Sequence, residues 1–443
     1  MRTLVLVLMT LEMGLAPLKA QPPAITHQPA SQSVRPGATV IFTVGVVGGG
    51  PFDYQWQCNG TNLPNGIITT VAGRDPKLRA KVGRSGDGGP AISASLINPT
   101  GIAVDAFENL FIGQASDPHV EASVRKVDTN GIIRTIEGAR GTGGVSIALA
   151  TDAAGNLYVA GQADEKVHKV DTKGKVSTVA GSWSYGNFAG DSGNSGDGGP
   201  ATRAQFHGPF GLALDSSGNL FIADCYNQRV RKVSAQGIIT TVAGNGRQGY
   251  SGDGRAATDA QLYWPKGLAV DASGNLFIVD TGNNRIRKVR TNGIITTVAG
   301  GGTASEQSSG PATNASLYTL SGGVALDSPG NLFIADCYKQ LVLKVSAQGI
   351  ITTVAGNGRQ GYSGDGGSAT NARLFFPQGL ALDGYGNLFV ADMCGQIRKV
   401  GNTQGPVLVL NNVTAGNAGN YLVVVTGHGG SVTSSVATLA VGD

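Results

Sequence analysis

Gly211–Gly244 reads GLALDSSGNLFIADCYNQRVRKVSAQGIITTVAG, and its segmentation decides the fold. Four short apolar runs alternate with turn formers: GLALD, NLFIAD, RVRKV and IITTVAG. Between them stand Ser216-Ser217-Gly218-Asn219, Cys225-Tyr226-Asn227-Gln228 and Ser234-Ala235-Gln236-Gly237. Gly, Asn and Ser favour turns because they tolerate left-handed backbone or bond their own main chain. The stretch therefore predicts a four-stranded antiparallel sheet. Such a sheet has two apolar faces and cannot cover both alone, so it needs copies of itself on either side.

The copies are present. The Asn of the turn before the second run recurs at Asn109, Asn156, Asn219, Asn275, Asn331 and Asn387, the last four at intervals of 56 residues. A period near 50 with four strands per unit predicts a β-propeller, here of six blades. The sixth blade, Gly379–Val400, has no fourth strand after it, whereas Gly66–Gly73 (GIITTVAG) has no blade before it. The expectation is that this upstream strand pairs with Gln396–Val400 and closes the ring, bringing residues 66 and 400 together. Closure also removes an open sheet edge.

The repeat GLAxD…GNLFIAD…NxRIRKV…GIITTVAG, with its SGDGGPAT connector, resembles the NHL-repeat propeller family over roughly 66–400. Blades one and two depart from it, with Gln114 and Gly161 where the others carry Asp224, Asp280, Asp336 and Asp392.

The flanks belong together. Residues 22–65 contain an alternating run at Val40–Val46 and a strand around Trp56, and 406–441 reads as three more strands. Neither piece suffices alone. Joined, they resemble a bacterial immunoglobulin-like domain of the cell-surface kind. The resemblance implies Trp56 as the core tryptophan and Asn417-Ala418-Gly419-Asn420-Tyr421 as the tyrosine corner. No Cys lies in the two strands that would carry the usual bridge. The whole is thus expected to be all-β, with a propeller at 66–400 inserted into a sandwich made of 22–65 and 406–441. Insertion is tolerated where the guest's ends are close.

Composition narrows the function. Gly is 69 of 443 residues and charged residues are 14%, fitting turns and short strands. A net charge of +4 gives no electrostatic footprint for nucleic acid, and the basic residues of the third strands lack interleaved aromatics for base stacking. Met1–Ala20, with Arg2 ahead of the apolar Leu4–Met9, reads as a secretory signal, so a secreted or cell-surface location is expected. No other run is long and apolar enough to predict a membrane span. The four Cys (Cys58, Cys225, Cys337 and Cys394) have no metal spacing and read as free thiols.

Three carboxylate sets invite a functional reading. Asp105, Asp152, Asp215, Asp271, Asp327 and Asp383 end the inner strands; a structural Asx-type turn is preferred to a cation ring. Asp224 with Arg229, Asp280 with Arg285 and, more loosely, Asp392 with Arg398 suggest hairpin ion pairs. Asp87, Asp197, Asp253 and Asp365, in the SGDG connectors, lie on one rim and are the first choice if that rim binds a ligand. A turn role competes, because one carboxylate per loop falls short of the 6–8 oxygens of a calcium site. The inner strands hold no His or Glu. Of the five His (His27, His119, His168, His207 and His428), His207, just before an inner strand, is the single candidate metal ligand.

No nucleophile elbow, phosphate loop or cofactor motif appears. The reading is a non-catalytic exported protein, binding a protein or glycan at the propeller rim, without cofactor. The rivals are a metal-dependent lyase or hydrolase at the channel mouth and a structural element of a surface assembly.

Overall fold

The strands form because β-branched and apolar residues alternate between Gly- and Asn-rich turns. The computed structural model describes residues 21–48, 52–63, 65–74, 85–116, 121–139, 147–161, 164–182, 195–304, 309–318, 320, 322–403, 405–410, 413–427 and 429–442. Met1–Ala20, His119 and His428 lie outside the described residues. Among those residues the regular structure is strand and short 3₁₀ turns, and no helix is long and apolar enough to cross a membrane. The chain divides into two units, 64–402 and a discontinuous one built from 1–63 and 403–443.

In the larger unit six antiparallel sheets succeed one another, four of them ordered as in the chain, while in blade five the short strand Gly310–Pro311 adds to the outer strand Ile350–Ala355. In blade three the strands are Pro209–Leu214, Leu220–Asp224, Arg229–Val233 and Ile239–Ala243. Blade six takes its outer strand from upstream: Ile68–Ala72 pairs with Gln396–Val400, setting Ile68 opposite Val400 and Ala72 opposite Ile397. The Gly401 amide donates to the Ile67 carbonyl at 2.9 Å, so the ends of the ring meet as the orphan strand predicted. The inner strand of blade six, Pro377–Leu382, lies beside that of blade one, Pro99–Val104.

The cores lie between blades. Phe221, Ala223 and Val230 of blade three pack with Leu268, Leu276 and Ile278 of blade four, and Ala257, Ala260 and Leu262 of the connector fill the edge. The closure repeats this arrangement, with Ala72, Phe389 and Ile397 against Ile102, Leu110 and Ile112. A closed velcro strand thus buries the same kind of apolar surface as a continuous blade.

Glycine at the head of five inner strands sets the blade spacing. A Cβ on Gly101, Gly211, Gly267 or Gly323 would fall on a carbonyl oxygen of the next blade's inner strand, and on Gly379 it would come 2.6 Å from the Thr100 oxygen. The backbones approach this closely only without a side chain.

In the discontinuous unit, Asp53–Cys58 pairs with Gly419–Gly427, placing Trp56 opposite Val423, and Val40–Thr43 pairs with Val407–Leu410. Residues 406–441 carry four strands, not the three expected, because Gly430–Thr433 folds back as a hairpin onto Gly419–Gly427. The expected Val40–Val46 strand is split into Val40–Thr43 and Gly45–Val47, which pair with different partners. Trp56 is fully buried, and its indole N–H donates to the Gly405 carbonyl at 3.0 Å. Phe42 stacks on Tyr421 at 4.8 Å, and the Tyr421 hydroxyl donates to the Asn417 carbonyl at 2.6 Å.

Candidate functional site

Antiparallel blades put two sets of loops on each end of the ring. The turns after inner strands and after third strands share one end. The turns after second strands share the other with the connectors between blades.

At the first end stand Asp105, Asp152, Asp215, Asp271, Asp327 and Asp383. The Asp215 carboxylate accepts from the amides of Ser217 (3.0 Å) and Asn219 (2.8 Å) and from the Asn219 side chain (2.7 Å). Equivalent Asn-to-Asp bonds hold the other five. Each carboxylate binds its own turn, which is why Asn is the repeat's marker, and Asp152, Asp271 and Asp383 also pair with Lys169, Lys288 and Lys399 of the third strands.

The connector carboxylates at the other end reach inward. Asp87, Asp197, Asp253 and Asp365 bind the guanidinium groups of Arg125, Arg231, Arg287 and Arg398, whose side chains are fully buried in the third strands. The Arg231–Asp197 separation is 2.7 Å, and the second Asp197 oxygen accepts from the Thr241 amide at 3.0 Å. Burial pulls the Asp197 carboxyl up, but Thr241 and Arg231 outweigh it and hold it below its usual range.

The two blades without a connector Asp also lack the arginine: blade two has His168 and blade five Leu343 at that place. Arginine and connector carboxylate thus occur together in four blades and in neither of the other two. The pair ties a connector to the sheet that follows it.

This arrangement corrects the expected hairpin pairs. Arg229 stands opposite Asp224 in register, yet its guanidinium donates to the Asn227 and Asn245 carbonyls. The ion pair is made diagonally by Arg231, 3.4 Å from Asp224, and Arg287 does the same at 3.3 Å with Asp280. The buried arginine sits between two carboxylates, whereas Arg229 lies at the strand end where open carbonyls need donors. Burial pushes Asp224 up to about 6 against the donors of His207, Asn227 and Arg231.

His207, the metal candidate, packs on Tyr226 at 4.8 Å between ring centres, and its amide donates to Asp224 at 2.8 Å. Among the described residues no group of three or more His, Cys, Asp or Glu side chains is placed to hold a metal ion. All four cysteines are unbridged, with Cys225 and Cys337 buried.

Around the channel mouth at the connector end the surface is aromatic. Tyr226 and Tyr338 come from turns after second strands; Trp264, Tyr318 and Phe376 come from the approach to inner strands. Tyr226, Trp264, Tyr318 and Tyr338 are 42%, 40%, 55% and 56% exposed, whereas the blade phenylalanine Phe221 is 6% exposed. Tyr338 lies edge-on to Tyr318 at 6.2 Å and to Phe376 at 5.4 Å. The Lys266 amine covers Phe210 at 4.9 Å.

Two of these rings sit on strained backbone. Trp264 and Phe376, each just before an inner-strand Pro, have φ of 51° and 48°. Asn98 (39°) and Gly208 (68°) hold the same place in blades one and three, residues at ease there. A bulky residue in that conformation costs about 1–3 kcal/mol. The preceding blade holds it. The Gln228 side-chain oxygen accepts from the Trp264 amide at 2.7 Å, Gln340 from Phe376 at 2.6 Å and Glu165 from Gly208 at 2.7 Å.

The channel beneath is narrow, about 80 Å³, and is lined by inner-strand backbone including Gly211, Gly267 and Gly323. That volume suits water rather than a substrate. The aromatic mouth was not legible as a site because its rings are scattered in sequence. The available signal was the residue pair before each inner-strand Pro, with Tyr263-Trp264 and Phe375-Phe376 where blade three has His207-Gly208.

Comparison with known proteins agrees with this geometry. The Teneurin NHL domain model matches residues 67–144, 185–249 and 245–314. Human Teneurin-1 is 27% identical over 381 residues, covering 78% of this chain and 13% of its own length, so the chain spans a small part of that relative. A solved Bacteroides thetaiotaomicron protein of unknown function superposes with a TM-score of 0.57 at 17% identity, covering 89% of this chain and 99% of the other. An auxiliary nutrient binding protein from the same organism gives 0.55 at 13%, covering 86% and 98%. The six blades, the strand-closed ring and this repeat signature make the larger unit a six-bladed β-propeller similar to the NHL-repeat family.

Proposed function

We propose that this is a non-catalytic binding protein working at the cell surface or outside the cell, and that the connector end of the propeller holds a protein or glycan partner. One observation carries the reading: Tyr226, Trp264, Tyr318 and Tyr338, from blades three to five, are exposed together at the connector end of the ring, where large apolar side chains are normally covered. The connector carboxylates of that end are engaged with buried arginines, which supports a scaffolding role for them.

The second unit is proposed as an immunoglobulin-like sandwich into which the propeller is inserted, serving as spacer or docking module. Buried Trp56 and the Tyr421–Asn417 bond support that reading. Met1–Ala20 is proposed as the export signal.

The purified protein, immobilised and exposed to protein and polysaccharide fractions of cell envelope and culture medium, should retain one component unaltered, and Tyr338→Ala should release it. Turnover of the retained component would put the metal-dependent lyase or hydrolase ahead of the binding reading.

A further inference from the structure

We propose that Tyr226, Trp264, Tyr318, Tyr338 and Phe376 form a contact arc for a neutral carbohydrate chain. The inference rests on the binding role just proposed and names its ligand class.

The arc crosses four consecutive blades at one end of the ring. Gln228 joins blade three to Trp264, and the edge-on contact of Tyr338 with Phe376 joins blade five to blade six. Its tyrosine and tryptophan rings offer apolar faces with a phenol or indole group at the edge, an amphipathic pattern, and Phe376 adds a purely apolar face. A pyranose has the complementary one, with a C–H face and a rim of hydroxyls.

Charge argues the same way. The buried arginines 125, 231, 287 and 398 are withheld from the surface by their carboxylates, so these four offer no charge to a polyanion, and the exposed arginines of that end (Arg203, Arg247, Arg255, Arg359 and Arg373) belong to the connectors rather than to the arc. Nearby amines are occupied: Lys339 donates to the Ser316 carbonyl at 2.5 Å and Lys266 lies over Phe210. A proline-rich peptide also docks on aromatic residues, but it is a straight rod. The arc turns with each blade, and a jointed sugar chain follows it.

Backbone strain is the second, independent observation. Blades one and three use Asn98 and Gly208 at the place where blades four and six hold Trp264 and Phe376 against an unfavourable φ. Strain kept where relaxed residues fit marks a functional position.

The same comparison supplies variants that fold: Trp264→Gly and Phe376→Asn install residues that other blades carry there. The test titrates the purified protein with cellohexaose, chitohexaose, xylohexaose and mannohexaose by calorimetry, with a proline-rich peptide alongside. At least one hexasaccharide should bind. Trp264→Gly and Phe376→Asn should each weaken it about tenfold or more with the melting temperature retained.

Binding of none of the four sugars, or binding that both variants leave intact, overturns the assignment. So does peptide binding that depends on these rings while the sugars fail. If the sugars fail but a fraction component is still retained in a Tyr338-dependent way, the carbohydrate assignment falls and the binding role stands.

Discussion

Glu165→Gln should stabilise the propeller at pH 8 and change nothing at pH 4.5. Glu165 ends the second blade's turn with φ of 53° and accepts from the Gly208 amide at 2.7 Å. Gln228 and Gln340 do the same task as amides. Burial, with the Asp224 and Asp164 carboxylates beside it, raises the Glu165 pKa from 4.5 to about 7 against the Gly208 bond. A folded pKa above the unfolded one means that the unfolded chain loses its proton first. Stability is therefore full below about 4.5, falls as pH rises to about 7, and stays at the lower value beyond.

For an enclosed group that rise corresponds to about 3.4 kcal/mol. Glu165 is half-buried, and solvent screening reduces the effect to roughly 1.5 kcal/mol. Glutamine keeps the hydrogen bond without the charge. Thermal melts of parent and variant should coincide at pH 4.5 and separate by about 2–4 °C at pH 8. An increment equal at both pH values, or a variant less stable than its parent at pH 8, would refute the assignment of the pH dependence to this carboxyl.

Other changes test the ring's construction. Gly211→Ala places a Cβ on the Lys266 carbonyl and should cost about 3 kcal/mol or prevent folding, whereas Gly310→Ala, with no atom within 4 Å, should stay within about 0.5 kcal/mol; similar urea midpoints for the two would disprove the close-approach account. Arg231→Met strands the buried Asp224 carboxylate and should cost about 3–5 kcal/mol, while Asp197→Ala, whose side chain is 48% exposed, should cost about 1; the reverse order in denaturant titration would show that the connector, not the buried charge, carries the stability. Trp264→Gly should keep the parent's melting temperature and lose the sugar, as set out above.

The sequence by itself determined the repeat, the blade count and the closing strand, because strand alternation and turn chemistry are local and recur at a fixed period. An unpaired GIITTVAG at 66–73 could be matched to the strand missing after Val400 by counting alone. The Asn markers were legible for the same reason, since each bonds an Asp four residues earlier. Contacts between blades were not legible. That Arg231, rather than Arg229, meets Asp224 depends on which guanidinium is enclosed once connector and sheet pack together. The glycine at five of the six inner-strand heads looks like a turn residue in sequence, and only the neighbouring blade's carbonyl shows why it has no side chain. The aromatic arc is assembled from positions spread between Tyr226 and Phe376, which the closed ring alone brings to one mouth. Local pattern specifies each blade; side chains that meet across blades acquire their roles only when the ring closes.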